Sequence, residues 1–184
     1  LGLRWQGDGL EFALGEDDRD DSTALLAAAG IAGTPYAVLH PGGRSGARWP
    51  AERFARVATA LVDRGLSVVV TGSSAETPLG RIVARHAHRS IVDLTSRTGL
   101  GALGALLAGA KLLVSNDTGV AHLAAALRVP SVVLFTSGQL DRWAPLDRAR
   151  HRVLAPMDRV PVRAVLEAVD SLGAPAVAAA AGER

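Results

Sequence analysis

Apolar positions along the chain follow two alternating patterns. Tyr36–His40, Ser67–Thr71, Ile91–Leu94, Lys111–Val114 and Ser131–Phe135 are short, nearly unbroken runs of the kind that form strands buried on both faces. Between them the spacing becomes helical. Phe54, Val57, Ala58 and Leu61 form one stripe after Trp49-Pro50, with Pro50 suited to the first helical position and Gly65 as the stop. A helix is predicted from about Ala75 to His86. Another spans Leu100–Ala108, with Leu103, Leu106 and Leu107 apolar and Gly109 closing it. An Ala/Leu-rich helix opens at Gly119 and ends before Pro130. Arg152–Leu154 reads as a short sixth strand, and Val160–Leu172 as a last amphipathic helix.

The ends of the chain carry weaker patterns. Leu3–Leu14 reads as a linker or an edge strand. The acidic run Glu16–Asp21 is expected as a solvated helix start ahead of Ser22–Ala29, whose Leu25, Leu26 and Ala29 share a face closed by Gly30. Strands alternating with helices of one to four turns predict an α/β fold, a doubly wound parallel sheet of Rossmann-like type. The expected organisation is a linker and lead-in helix over 1–30, one Rossmann-like domain over 31–173 and a flexible tail over 174–184. The chain opens at Leu1 rather than Met, which suggests that an N-terminal part precedes it.

Composition narrows the function classes. At 184 residues the chain can bury a real core, and it holds no apolar run near the roughly 20 residues that cross a bilayer. Cysteine is absent, so disulfides and thiolate metal sites are excluded. A net charge of +2 is too small to argue for nucleic acid, and Arg is the default cation, with Lys111 the single lysine. His86, His88 and His151 lack metal-site spacing and read as surface residues, while His40 at a strand end fits a structural or a functional role equally. Trp49 and Trp143 are expected to pack loops rather than stack a base, and the aspartate pairs at 17–18 and 20–21 to be solvated.

The polar residues that remain sit where strands give way to helices. They fall in Gly42-Gly43-Arg44, Gly72-Ser73, Thr95–Thr98, Ser115–Gly119 and Thr136–Arg142, and in doubly wound sheets ligands bind at that carboxyl edge. One crevice is expected to collect all five loops. The stretch Ser115-Asn116-Asp117-Thr118-Gly119 has the physics of an anion site. The first amides of a helix lack intrahelical partners, the helix dipole is positive there, and Gly119 admits a ligand close to the backbone. Asp117 or Thr118 can cap the helix, and His122 is expected to turn its ring back toward the same mouth. An ordinary N-capped helix with a core histidine fits the same residues.

As an ordered set, His40-Pro41-Gly42-Gly43, Arg48-Trp49-Pro50 with Arg53-Phe54, Val70-Thr71-Gly72-Ser73 with Glu76, Leu107–Lys111, Ser115–Gly119 with His122, and Arg142-Trp143 resemble the C-terminal half of the family 9 glycosyltransferases, which include the bacterial lipopolysaccharide heptosyltransferases. The resemblance implies one half of a GT-B enzyme, the half that holds a nucleoside-diphosphate sugar, ADP-heptose in the heptosyltransferases. The acceptor and the catalytic base belong to the other, N-terminal half, so no catalytic residue is expected here. It further implies inverting transfer of a heptose-like sugar to a glycan or small acceptor, no obligatory cofactor or metal, no nucleic acid partner, and a cytoplasmic place, at most peripheral to the inner face of the membrane.

Carried over by position, the resemblance puts Gly42 and Gly43 at the diphosphate, Glu76 at the ribose, Thr98 at the adenine edge, and Thr118, Gly119 and His122 at the diphosphate and sugar, with Asp117 counted among the donor-binding residues. The basic residue that the family commonly places two positions before Trp-Pro is Ala47 here, so Arg44 or Arg48 is expected to neutralise the phosphates. The loop after Phe135 also departs from the family pattern, which leaves the sugar open. Two rivals remain at this point: a stand-alone nucleotide-binding module without transfer chemistry, and a GT-B sugar-nucleotide epimerase or synthase.

Overall fold

The computed structural model describes residues 9–44, 46, 48–87, 89–136 and 140–173. The anticipated tail from Ala174, Ala47, His88 and the loop residues Ser137–Gln139 lie outside them. The elements in chain order are α1 (Glu16–Ala28), β1 (Tyr36–His40), α2 (Ala51–Asp63), β2 (Ser67–Val70), α3 (Thr77–His86), β3 (Val92–Asp93), α4 (Leu100–Gly109), β4 (Leu112–Asn116), α5 (Gly119–Ala126), β5 (Ser131–Leu134), α6 (Leu140–Trp143), β6 (His151–Leu154) and α7 (Val162–Ser171). The strands form one six-stranded sheet in the order β3-β2-β1-β4-β5-β6. Every neighbouring pair is parallel. This is the doubly wound, Rossmann-like arrangement that the alternating pattern predicts.

The strands are apolar on both sides because both sides are covered. Ala37 and Leu39 of β1, with Val68 and Val70 of β2 and Leu112 and Val114 of β4, meet Phe54 and Leu61 of α2, Val83 of α3 and Val165 of α7. The alternate residues Tyr36, Val38, Val69 and Leu113 meet Leu106 and Leu107 of α4 and Leu123 of α5, with Leu25 and Leu26 of α1 at the margin. A period of two along each strand thus feeds two separate cores.

Several element boundaries differ from the expected ones, each for a local reason. The acidic run lies inside α1, because the Asp18 carboxylate accepts the Gly15 N–H at 2.9 Å and three acidic residues suit the positive end of the helix dipole. Pro50 caps α2 from outside, so the helix begins at Ala51. A 3-10 turn at Ser74–Glu76 precedes α3. β3 shortens to Val92–Asp93, since the Asp93 side chain turns the chain by accepting the N–H and hydroxyl of Thr95. Gly109 is the last residue of α4 rather than a left-handed stop. A Cβ there would lie 2.6 Å from the Tyr36 hydroxyl, which donates to the Leu106 carbonyl. The lead-in to α1 is seated on α4 in the same close manner, with the Phe12 ring 2.7 Å from where a Cβ on Gly104 would stand.

Two corrections bear on the site. β4 continues through Ser115 and Asn116, which pair with Val133 and Leu134 of β5, so the turn into α5 is only Asp117-Thr118. His151, expected at the surface, is 2% exposed in β6, with its Nδ1 2.8 Å from the Ser131 hydroxyl.

The sheet reverses its winding between β1 and β4: β1 leads to α2 on one face and β4 to α5 on the other, the switch point where such sheets leave a crevice. The fully buried Asn116 side chain joins the diverging loops there. Its Nδ2 donates to the carbonyls of Pro41 (3.0 Å) and Gly42 (2.9 Å), and its Oδ1 accepts the Trp49 N–H at 3.1 Å.

Two expectations follow. Asn116→Ala leaves three buried backbone groups unmet at about 1–3 kcal/mol each, so chemical denaturation should show a loss of about 3 kcal/mol or more. Burial, reinforced by Arg150 and opposed by Asp147, lowers the His151 pKa below its ordinary value. The unfolded chain then takes up a proton below about pH 6.5 that the native state refuses, so stability falls on acidification, by at most about 1.4 kcal/mol per pH unit for this group. Urea titrations between pH 7.5 and 5.5 should show a slope of this sign, and His151→Asn, which can keep the bond to Ser131, should reduce it, leaving the share of the buried His40, whose pKa is lowered too.

Candidate functional site

The loop after β1 takes a path that only glycine allows. Gly43 has φ +135°, a region other residues rarely enter, and a Cβ on Gly42 would fall inside the Glu76 carboxylate. With the carbonyls of residues 41 and 42 held by Asn116, the Gly43 N–H points the other way and donates to Glu76 Oε1 at 2.7 Å. The Arg48 Nε donates to the Gly43 carbonyl at 2.6 Å, which braces the loop from outside. Arg44 is exposed beside it, close enough to Asp117 for their charges to interact.

Glu76 ties this loop to the one after β2. Its Oε2 accepts the Ser73 N–H at 2.8 Å and the Ser73 hydroxyl at 2.9 Å. Burial pushes its pKa up, but the bonds from Ser73 and Gly43 and the neighbouring His40 together hold it below the usual glutamate value. It is a carboxylate at neutral pH. The His40 ring, the last of β1, is buried with Nδ1 3.0 Å from the Thr71 hydroxyl, and that burial lowers its pKa against the opposing pull of Glu76.

Across from these loops stands the start of α5. Of the two capping residues considered, Thr118 is the cap: its hydroxyl accepts the Val120 N–H at 3.3 Å. The Thr118 and Gly119 amides have no partner among the described residues, and the space beside Gly119 is open for 4 Å. Asp117 is half-buried, and that burial raises its pKa against the charges of His122 and Arg44.

These groups enclose a cavity of about 500 Å³. Its polar rim is Gly43, Gly72-Ser73, Glu76, Thr98 and Thr118-Gly119, and Leu100, Leu103 and Leu123 supply an apolar wall. Four of the five anticipated loops therefore meet. The described residues of the fifth do not join them. Asp141, Arg142 and Trp143 line a separate hollow of about 700 Å³, and His122 faces that hollow rather than the shared mouth. Its ring lies edge-on to Trp143 at 6.1 Å, and the Arg142 guanidinium sits 5.0 Å from the Trp143 ring centre. The edge-on contact with Trp143 thus sets His122 on the outer side of α5.

Among the residues singled out by sequence, Gly43, Glu76, Thr98, Thr118 and Gly119 line the cavity, and Gly42 supports it from beneath. Arg44 and Arg48 stand at the loop's outer side, and Asp117 lies near both His122 and Arg44. Trp49 is buried as packing, its Nε1 donating to the Val160 carbonyl at 2.9 Å. Ser73 and Thr71 stand in motifs singled out by sequence, but their bonds to Glu76 and His40, and the clamping role of Asn116, were not read there. The available signal was a polar residue ending or following an apolar strand, as at Thr71 and Asn116. No three His, Asp or Glu side chains among the described residues are grouped so as to hold a metal ion.

This geometry meets its counterparts among known proteins. The model of glycosyltransferase family 9 (heptosyltransferase) matches residues 7–167. Lipopolysaccharide heptosyltransferase 1 of Pseudomonas aeruginosa is 38% identical over 106 residues, which cover 56% of this chain and 29% of that protein. The structure of Escherichia coli ADP-heptose lipopolysaccharide heptosyltransferase II matches with a TM-score of 0.75 at 25% identity, over 88% of this chain and 53% of that one. An E. coli heptosyltransferase solved with ADP-2-deoxy-2-fluoro heptose matches with a TM-score of 0.62 at 26% identity, over 74% and 43%. The chain thus spans only about half of the solved relatives, and the curated sequence matches cover less. With the family model covering most of its length, this chain belongs to glycosyltransferase family 9.

Proposed function

We propose that this chain is the donor-binding half of an inverting glycosyltransferase that uses an ADP-linked, heptose-like sugar. The observation that carries the reading is the pair of surfaces facing each other across the 500 Å³ cavity: a glycine loop fixed by Glu76 on one side and the unpartnered amides of Thr118 and Gly119 on the other. A diphosphate fits between them on electrostatic grounds. The relatives' names support the donor class, and one solved neighbour holds an ADP-heptose analogue.

In this reading Thr98 lies at the adenine end and Arg44 and Arg48 screen the phosphates. A carboxylate offers about four lone-pair sites, and three donors already occupy Glu76, so one remains for a ribose hydroxyl. An acceptor hydroxyl attacks the anomeric carbon from the face opposite the diphosphate. The bond from that carbon to the diphosphate oxygen breaks, and its electron pair passes to the oxygen. The α5 dipole and free amides favour that charge as it builds. His122, on the far side of Asp117, meets the sugar only where it extends toward the second hollow. The base that takes the acceptor proton, and the acceptor itself, belong to an N-terminal half. No helix among the described residues is long and apolar enough to cross a membrane. From the family, we place the protein in the cytoplasm or at the inner face of the membrane.

Calorimetric titration should show ADP binding in preference to UDP and GDP, lost in an Asp117→Ala/Thr118→Pro double variant that removes the cap and an open amide. Equal binding of all three, or none, would count against the reading. Glu76→Gln weakens the charge-assisted bonds to Gly43 and Ser73 as well as any to ribose, and hydrogen bonds to charged groups contribute about 1.5–3 kcal/mol. ADP affinity should fall roughly ten- to hundredfold. The chain by itself should transfer no sugar from ADP-heptose to an acceptor, and measurable turnover would show that it is more than a donor half.

A further inference from the structure

The donor reading leaves one buried group of the cavity without a task. His40 is 6% exposed, and its ring forms part of the wall between the Gly43 loop and Thr118-Gly119. Thr71 Oγ1 engages Nδ1 at 3.0 Å, whereas Nε2 has no partner among the described residues. The fully buried Ser115 hydroxyl is likewise unmet. Ser115 pairs with His40 in the β1–β4 register, so the two side chains project to the same face of the sheet. The last residue of β1 and the next-to-last residue of β4 thus carry unmet polar atoms side by side on one face of the sheet, and His40 opens onto the cavity. An apolar residue would fill either position without the cost of an unpaired polar atom.

The neighbours decide what kind of ligand completes the ring. The Thr71 hydroxyl can donate to Nδ1, which leaves the proton of a neutral imidazole on Nε2. The ring then presents a donor to the cavity. The nearest charged side chain is the Glu76 carboxylate, already committed to Gly43 and Ser73. Across the cavity the Thr118 and Gly119 amides are donors too. Donors thus face the cavity from His40 and from Thr118-Gly119, while the Glu76 carboxylate keeps at most one open site at its edge; the space between the donors suits an anionic oxygen.

Resting on the donor-site reading, we propose that His40 is a direct ligand of the donor, giving its Nε2–H to a diphosphate oxygen, with Thr71 as the positioning residue that sets the tautomer. The family resemblance assigns His40 no such role.

Asparagine and glutamine separate the two ring nitrogens. His40→Asn places an amide near the Nδ1 position, so it can keep the Thr71 contact while offering nothing at Nε2; His40→Gln reaches the Nε2 position. Wild-type chain and both variants are titrated at pH 8 with ADP and with inorganic pyrophosphate, and their thermal midpoints recorded. His40→Asn should lose about tenfold in affinity for both ligands by the same factor, with His40→Gln recovering part of it. A loss for ADP with pyrophosphate unaffected would move the contact to the ribose and overturn the proposal, as would unchanged binding of both. If the wild-type chain binds neither ligand, the donor-site reading falls and this inference with it. Should His40→Asn not fold, histidine ¹⁵N NMR of the wild-type chain decides: pyrophosphate should shift the His40 Nε2 resonance, and a bound state with that resonance unmoved refutes the contact.

Discussion

The Asn116 carboxamide lies fully buried between the two strands at which the sheet reverses its winding, and its polar atoms bind backbone of the β1 loop and of the start of α2. Those backbone groups belong to a turn that leaves the sheet and cannot pair within it. Without an internal partner they would need water in a space that holds Trp49 and Phe54, edge to face at 5.1 Å. Because the amide satisfies them from within, the loop can be both buried at its base and open at its rim. The rest of the site inherits its geometry from that arrangement.

Glu76 is the second fixed point. With the Pro41 and Gly42 carbonyls turned toward Asn116, the Gly43 amide faces Glu76, and Ser73 closes the same carboxylate from the β2 side. The two glycines follow from this. One lies against the carboxylate with no room for a Cβ, and the other needs a positive φ. A negative group at the edge of an anion site looks unfavourable in isolation. Its charge is stabilised by three hydrogen bonds, and it aligns the loop that faces the start of α5.

Helix α5 separates the two hollows. The cavity between the Gly43 loop and the head of α5 is rimmed by polar backbone and floored by the sheet's carboxyl edge. The second hollow exposes Trp143 (42%) and Leu10 (55%) beside the arginines 128, 142 and 150.

Periodicity alone specified most of the fold. Continuous apolar runs such as Val68–Val70 can only be strands covered on both faces, and glycines such as Gly65, at φ +84°, mark real helix ends. The glycine loop, Glu76, Thr98 and the Thr118-Gly119 helix start were legible because their residue types and order are local properties of the chain. What sequence could not settle were contacts across long separations. Gly109 is read locally as a stop, yet it is a glycine because Tyr36 lies over it, and His151 looks like surface until Ser131 of the neighbouring strand is seen beside it. His122 is one helical turn from Thr118 in sequence, but a partner about 20 residues away draws its ring to the other side of the helix. Helix and strand periods are set by neighbours in the chain. Which buried polar atom meets which partner is set only when distant segments close on one another, and in this protein that closure made the site.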